Sequence, residues 1–399
     1  MLLGKVYNRL MVEMNQKSIR RIQDTLVRAG GKPYVIGGAV RDELLGIAPK
    51  DVDFVVTGIP LERIAAVLSG LGKVTEVGKS FGVVKATIEG EDYDFATPRT
   101  KETSTGDKHT DFQVQTDHNA SIEDDLSRRD FTFNALAKDV NGKVVDLFGG
   151  KQDMQNRIIR TVGKPEARFS EDPLRILRAI QFAARLDFDI EEKTAAAIEK
   201  LAPKLKSISS ERIYMEFEKA WLKAKRPDKI AQLLSDLGVG EVLFGKDFRP
   251  IPVKIVGSKD DIVNGNFVSF FLCGGEYKNM RPTNDMLVSL QIAKLALGAN
   301  TFQALGKVPD IKAKLPLVAD IVEKMSRIEP ALRQAADKLK RAATLPLTGK
   351  ELQLSGGDIM SMGIKGKDIG VIQNKILSAI ESGQLKNNKQ DILNFMQGR

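Results

Sequence analysis

The sequence predicts an α+β protein, a mixed-sheet head followed by a mostly helical remainder, and three observations carry that expectation. Strand-like apolar runs and helical periods interleave up to about residue 148. Beyond roughly residue 150 the apolar positions recur almost entirely at the 3.6-residue helical spacing. Within the head, one strand–turn–helix unit ends its strand on two glycines and is followed by a strand carrying two aspartates.

Residues 18–29 read as an amphipathic helix whose apolar stripe is Ile19, Ile22, Leu26 and Val27. Strand candidates follow at 34–36, 52–56, 74–77, 83–88, 93–96 and 144–147. The helical period then runs through 173–186, 193–205, 212–224 and 229–237. Residues 246–285 are rich in Gly, Asp, Asn and Pro around an apolar run at 267–272, and read as an irregular insert. Residues 341–399 read as a separate tail, with Gly356, Gly357, Gly363, Gly366 and Gly370 leading into a helix from about 371 to 381.

Composition bounds the function. The 399 residues suggest about two to three globular units. Hydrophobic residues, at 42%, supply a substantial core. No stretch approaches the ~18 apolar residues of a membrane span, and the N-terminus lacks the long apolar block of a secretory signal. Cys273 is the single cysteine, which excludes an internal disulfide and a cysteine zinc cluster and fits a reducing compartment, so a cytoplasmic protein is expected. His109 and His118 are the only histidines, too few for most histidine-rich metal sites. Lys and Arg total 61 against 52 Asp and Glu, and the net +9 suits a polyanionic partner. Aromatics are only 6%, which favours docking on phosphates over stacking on bases.

Gly37 and Gly38 end the apolar run Tyr34-Val-Ile, and Val40, Leu44 and Leu45 then recur at helical spacing. Glycine lets the backbone approach a phosphate closely at such a turn. Asp51 lies fourteen residues after Gly37, and Asp53 two further on. Side chains alternate across a strand, so Asp51 and Asp53 share one face, where they repel unless a divalent cation sits between them. A phosphate cradle beside such a pair is what a two-metal nucleotidyl-transfer site requires. Taken singly, a Gly-Gly is an ordinary turn and an Asp-x-Asp a solvated strand end; their order within one unit favours the catalytic reading.

Two further clusters carry chemistry. In 123–136, Arg128 and Arg129 can neutralise phosphates, Asp130 can accept from a ribose hydroxyl, and Asn134 lies beside apolar Phe131, Phe133 and Leu136. In 171–186, Asp172 and Arg175 are three apart and Arg178 follows one turn later. Spacing alone leaves two readings open: a salt-bridged helix face, or a carboxylate and guanidinium reading the edge of a base.

Gly37-Gly-Ala-Val-Arg-Asp42, Asp51-Val-Asp53, Arg128-Arg-Asp-Phe-Thr132, Glu171-Asp-Pro-Leu-Arg175 and Glu211-Arg-Ile occur here in the order found in class II tRNA nucleotidyltransferases. The chain therefore resembles the CCA-adding enzymes and their relatives, the bacterial poly(A) polymerases, most strongly over residues 30–220. The resemblance implies a nucleotidyltransferase head at 1–150 and an all-helical neck, body and tail at 151–220, 221–340 and 341–399. It implies that Asp51 and Asp53 bind magnesium (Mg2+), with Asp94 as the third head carboxylate. Gly37, Gly38 and Arg41 would lie at the nucleotide's phosphates, and Arg129, Asp130 and Asn134 at ribose and phosphate. Asp172 and Arg175 would select the base, with Arg178 contacting the nucleotide one turn on. Gln181 departs from the pattern, since relatives commonly have a further arginine there.

The activity so implied is template-independent addition of CCA to the tRNA 3′ end from CTP and ATP. Poly(A) polymerases usually carry Gly-Arg-Arg-Phe after the aspartate pair, where this chain has Gly78-Lys-Ser-Phe81, which favours CCA addition. Enzymes that add only CC lack a flexible loop between the first motifs; 33 residues separate Asp94 from Arg128 here, and 98–115 is polar and loop-like. A non-catalytic RNA-binding relative would not need Asp51, Asp53 and Asp94.

Overall fold

The computed structural model describes residues 16–49, 51–77, 82–104, 112–251, 253–272, 274–277, 280–298 and 302–398. His109, Cys273 and the 78–81 stretch that argues against poly(A) polymerase lie outside them. The chain divides into two compact units, Met1–Ile213 and Tyr214–Arg399.

The first unit opens with a helix, α1 (16–28), whose Ile22 and Leu26 are buried while Val27 is exposed, so the predicted stripe is narrower by one residue. Strands β1 (Lys32–Ile36), β2 (Val52–Thr57), β3 (Lys73–Val77), β4 (Val83–Ile88), β5 (Glu91–Ala96), β8 (Leu136–Lys138) and β9 (Val144–Asp146) form one sheet in the order β3-β4-β5-β2-β1-β8-β9. The pairing of β2 with β5 is parallel and the others are antiparallel, a mixed sheet as expected. Helix α2 (Gly38–Leu44) joins β1 to β2, and α3 (Leu61–Leu68) buries Ile64, Ala65 and Leu68 after β2.

Register in the β2–β5 pair is pinned by aromatic packing. Phe54 and Phe95 are register partners whose rings stack at 4.9 Å, and both are buried. Because side chains alternate, the preceding residues Asp53 and Asp94 are brought side by side on the other face. A slip of one residue in either strand would turn its carboxylate into the core, so register is strongly specified here.

The polar segment 98–115 was expected as a loop and is instead built on a hairpin, β6 (Arg99–Ser104) with β7 (Phe112–Thr116), whose tip lies outside the described residues. Ladder hydrogen bonds do not need an apolar face, and the charged and threonine-rich residues of β6 gave no hydrophobic alternation to read. After α4 (Ile122–Ser127), which starts on a Ser121–Asp124 capping box, the head leads through a 3-10 turn (Thr132–Asn134) into β8.

Helices α5 (Gly150–Gln155), α6 (Pro165–Glu171), α7 (Leu174–Leu186), α8 (Glu192–Leu201) and α9 (Ser210–Lys223) follow. The neck is not wholly helical, because two short parallel strands, β10 (Ile158–Ile159) and β11 (Asp189–Ile190), pair within it. Helix α7 buries eleven of its thirteen residues, including Arg175 and Gln181.

In the second unit, α10 (Pro227–Asp236) and α11 (Val239–Phe244) are followed by α12 (Lys259–Leu272), α13 (Asn284–Leu297), α14 (Phe302–Gly306), α15 (Ile311–Ser326) and α16 (Arg333–Thr344). The predicted irregular insert therefore contains a fourteen-residue helix. All residues of α12 from Val263 to Phe271 are buried, and a helix buried all round shows no amphipathic period. Phe244, Phe248, Phe267, Phe270 and Phe271 pack there with Phe217 and Trp221. Helices α17 (Gly356–Ser361), α18 (Lys367–Glu381) and α19 (Lys389–Met396) close the chain around Leu354, Ile359, Ile376 and Ile392.

Candidate active site

The carboxylates come first. Asp51 is exposed just before β2, Asp53 lies on β2, and Asp94 faces it in register on β5. Lys85 of β4, the register partner of Asp94 on its other side, pairs with it at 3.2 Å. Asp53 is exposed on its face of the sheet, yet the protein around it buries part of the carboxylate's surroundings. That burial, then the negative charge of Asp94, pushes its carboxyl above the ordinary value; Arg129 and Lys85 oppose the rise and Asp51 adds to it. Among the described residues no three His, Cys, Asp or Glu side chains converge closely enough to hold a metal by themselves. The donors present are hard oxygens whose mutual repulsion Lys85 and Arg129 relieve only in part. They fit a magnesium ion, which usually takes one or two carboxylates and completes its shell with water and substrate phosphate.

The glycine turn sits next to this face. Gly37 caps α2 with φ 61°, and a Cβ there would come within 2.7 Å of Arg129 Nη1. The left-handed backbone demands glycine at this position, whereas the Arg129 contact is with the far end of a flexible side chain. Gly38 has no such demand from within the protein, because its Cβ would meet only Arg41 Nη2, at an ordinary 3.5 Å.

Around the turn runs one polar network. Arg129 donates to Asp125 Oδ2 from Nε and Nη2 at 3.2 and 2.9 Å, and from Nη1 to the Asn134 carbonyl at 3.4 Å. Asn134, buried, accepts from Arg41 Nη1 at 2.6 Å and donates to Asp130 Oδ1 at 3.1 Å. Asp130 Oδ2 accepts from Arg178 Nε and Nη2 at 2.9 and 2.6 Å. Burial works to raise the Asp130 carboxyl, but the Arg178 charge and hydrogen bonds from Arg178, Asn134 and the Phe131 amide outweigh it and hold it below the ordinary value. Arg41 is buried against Asp42, and burial pulls its guanidinium down from the ordinary value while Asp42 opposes the change. Thus Arg41, Arg129, Asp130, Asn134 and Arg178, read from separate motifs, meet in one place.

Asp172 and Arg175 are held separately rather than as a pair. Asp172 is the extended residue between α6 and α7, and its Oδ1 accepts from the Leu174 amide at 3.1 Å and from Arg212 Nη2 at 3.3 Å. Arg175 donates to Glu171 at 3.2 Å and to the Arg128 carbonyl at 3.2 Å. The simple Asp172–Arg175 helix salt bridge does not form. Sequence reasoning gave no role to Arg212, buried in the Glu211-Arg-Ile motif, to Asp42, or to Asp125; the signal for Arg212 and Asp42 was only that they sit inside the ordered motifs, and for Asp125 that it lies in the charged stretch 123–136.

Comparison with known proteins bears directly on these motifs. Residues 33–160 match the poly A polymerase head domain, and residues 187–249 match the probable RNA and SrmB-binding site of polymerase A. The CCA-adding enzyme of Streptococcus mutans serotype c is 31% identical over 408 residues, covering 94% of this chain and 95% of the relative. That of Ligilactobacillus salivarius is 32% identical over 394 residues, covering 93% and 94%. Among solved structures, the Bacillus stearothermophilus CCA-adding enzyme in complex with CTP superposes with a TM-score of 0.64 at 28% identity, covering 96% of this chain and 97% of that one. The aspartate pair, the glycine turn and the arginine network thus lie in a chain similar to these enzymes along nearly its whole length, and the chain belongs to the CCA-adding enzyme family of nucleotidyltransferases.

Proposed function

We propose that this chain adds C, C and A in turn to the 3′ end of tRNA, without a nucleic-acid template, using CTP and ATP and releasing pyrophosphate. The observation that carries the reading is the register pairing of Asp53 with Asp94 beside Arg129 and Gly37, in a chain matched end to end by CCA-adding relatives. Magnesium ions bound at Asp51 and Asp53 would supply Lewis acidity for the attacking 3′-hydroxyl and the α-phosphate. Asp94 adds negative charge beside that pair and is itself held by Lys85. Gly38, Arg41, Arg129 and Arg178 hold the triphosphate and ribose, with Asp130 and Asn134 fixing the guanidiniums. Asp172 and Arg175 read the base: an acceptor faces the exocyclic amino group that cytosine and adenine share, and donors face the ring acceptors.

The basic helical regions 221–340 and 341–399 bind tRNA through its phosphates and shape, with 1–150 as catalytic head and 151–220 as neck. No described helix is long and apolar enough to cross a membrane, and we place the enzyme in the cytoplasm. Poly(A) synthesis is the second reading, favoured by the description of the head domain at 33–160. The two separate when tRNAs lacking their last three, two or one nucleotides are incubated with CTP or ATP singly. CCA addition predicts that CTP alone extends the first two substrates and ATP alone only the third; extension of every substrate by ATP alone would establish poly(A) synthesis instead.

A further inference from the structure

We propose that Arg185 binds the nucleotide's triphosphate and supplies positive charge on a face of α7 where its neighbour one turn back, Gln181, is neutral. The proposal rests on the nucleotidyl-transfer reading and adds to it a residue outside the recognised motifs.

Arg185 lies four residues after Gln181 on α7, one helical turn away. Side chains on a helix lean toward its N-terminus, so a long residue covers the surface of the preceding turn. Arg185 does so here, with its guanidinium 6.0 Å from the centre of the Phe182 ring. Two residues of the polar network reach the same ring, Arg41 at 5.3 Å and Arg178 at 5.5 Å. Phe182 is buried and is itself fixed by edge contacts with Phe131 and Phe133. Three guanidiniums from two elements therefore gather around one aromatic ring beside Asp42 and Asp130.

The partners of these arginines differ in what they leave for a ligand. Arg41 is engaged by Asp42 and Asn134, and Arg178 donates twice to Asp130. Among the described residues Arg185 meets a single carboxylate oxygen, Asp42 Oδ2, at 3.4 Å, and a quarter of its side chain is exposed. A guanidinium carries five N–H donors in a planar fork suited to phosphate. Arg185 is also close enough to Arg41 for its charge to help pull the Arg41 guanidinium below its ordinary value, after burial. Like charges held this close are relieved by an anion, and a nucleoside triphosphate brings several negative charges to the spot. Gln181, neutral and buried one turn earlier on α7, cannot provide that compensation.

The test is equilibrium binding of CTP and of CMP to the full-length chain, in the wild type and in Arg185→Gln, Arg185→Lys and the double variant Arg185→Gln with Gln181→Arg. The proposal expects Arg185→Gln to weaken CTP by about tenfold or more while leaving CMP nearly unchanged, since a charged hydrogen bond to phosphate is lost. Lysine should keep part of the affinity, and Gln181→Arg should restore most of it in the double variant. Equal weakening of CTP and CMP, or no change in either, would overturn the assignment and make Arg185 a structural partner of Asp42. Should Arg185→Gln fail to fold, the same CTP-against-CMP comparison in Arg185→Lys decides the matter. Extension of tRNA by the wild type is scored separately, so a failure of the functional reading shows there and a failure of the Arg185 proposal shows in the CTP–CMP difference.

Discussion

Asp53 of β2 stands in register with Asp94 of β5, on the one parallel pairing among the described strands of the head sheet, while the next residues along, Phe54 and Phe95, stack on the opposite face. The aromatic pair holds two carboxylates together that repel each other, and the energy of that repulsion is what a bound cation recovers.

Asp53→Ala and Asp51→Ala should each abolish addition of both C and A while leaving tRNA affinity nearly unchanged, because affinity comes from distributed phosphate contacts. Filter binding and single-turnover extension on the same samples check this. Parallel loss of binding and turnover would count against the assigned roles.

The raised Asp53 carboxyl has a consequence for stability. A carboxyl whose folded pKa exceeds its unfolded value keeps its proton longer in the native state, so stability falls as pH rises from the ordinary 3.8 through the folded value. Without metal at neutral pH, Asp53→Asn should therefore melt at or above the wild-type temperature even though it is inactive. A clearly lower melting temperature would show that Asp53 is a structural group.

Asp130 behaves oppositely. Its depressed carboxyl contributes stability that is present above 3.8 and lost as pH falls through the lower folded value. Asp130→Ala removes the bidentate partner of Arg178, whose side chain is one third exposed, and should cost about 1.5–3 kcal/mol, the range for hydrogen bonds to a charged group. Denaturation curves at pH 7 and in acid should converge for the two proteins as the wild type loses the same interaction.

Much of this site is legible in the sequence because it is local. Period two sets Asp53 on the face of β2 opposite Val52 and Phe54, with Asp51 just before the strand, and a strand ending on Gly37-Gly38 marks a turn whose left-handed backbone suits glycine. What was not legible is long-range or lacks a pattern. Asp172 is held by Arg212, forty residues on, and Asp42 meets Arg185 at a separation of 143. Neither pairing has a spacing to read. Helix α12 is buried on every side through its middle, so it shows no amphipathic period, and β6, Arg99–Ser104, has no apolar residue to show an alternation.

Base selection should follow Asp172. Replacing it with alanine removes the acceptor that repels the carbonyl of uracil and guanine, and a base contact worth about 1–3 kcal/mol implies that rejection of UTP and GTP relaxes roughly tenfold to a hundredfold. Arg212→Ala should relax it in the same direction, since Arg212 orients the same carboxylate. Competition among all four triphosphates measures both, and unchanged preference in folded Asp172→Ala would sink the base-reading role.

The most direct test of the whole account is sequencing of the 3′ ends made from tRNA lacking its last three nucleotides, with all four triphosphates present together. The account predicts products that end in CCA and stop there, and no product with Asp53→Ala. Runs of A, or extension that survives the loss of Asp53, would contradict it.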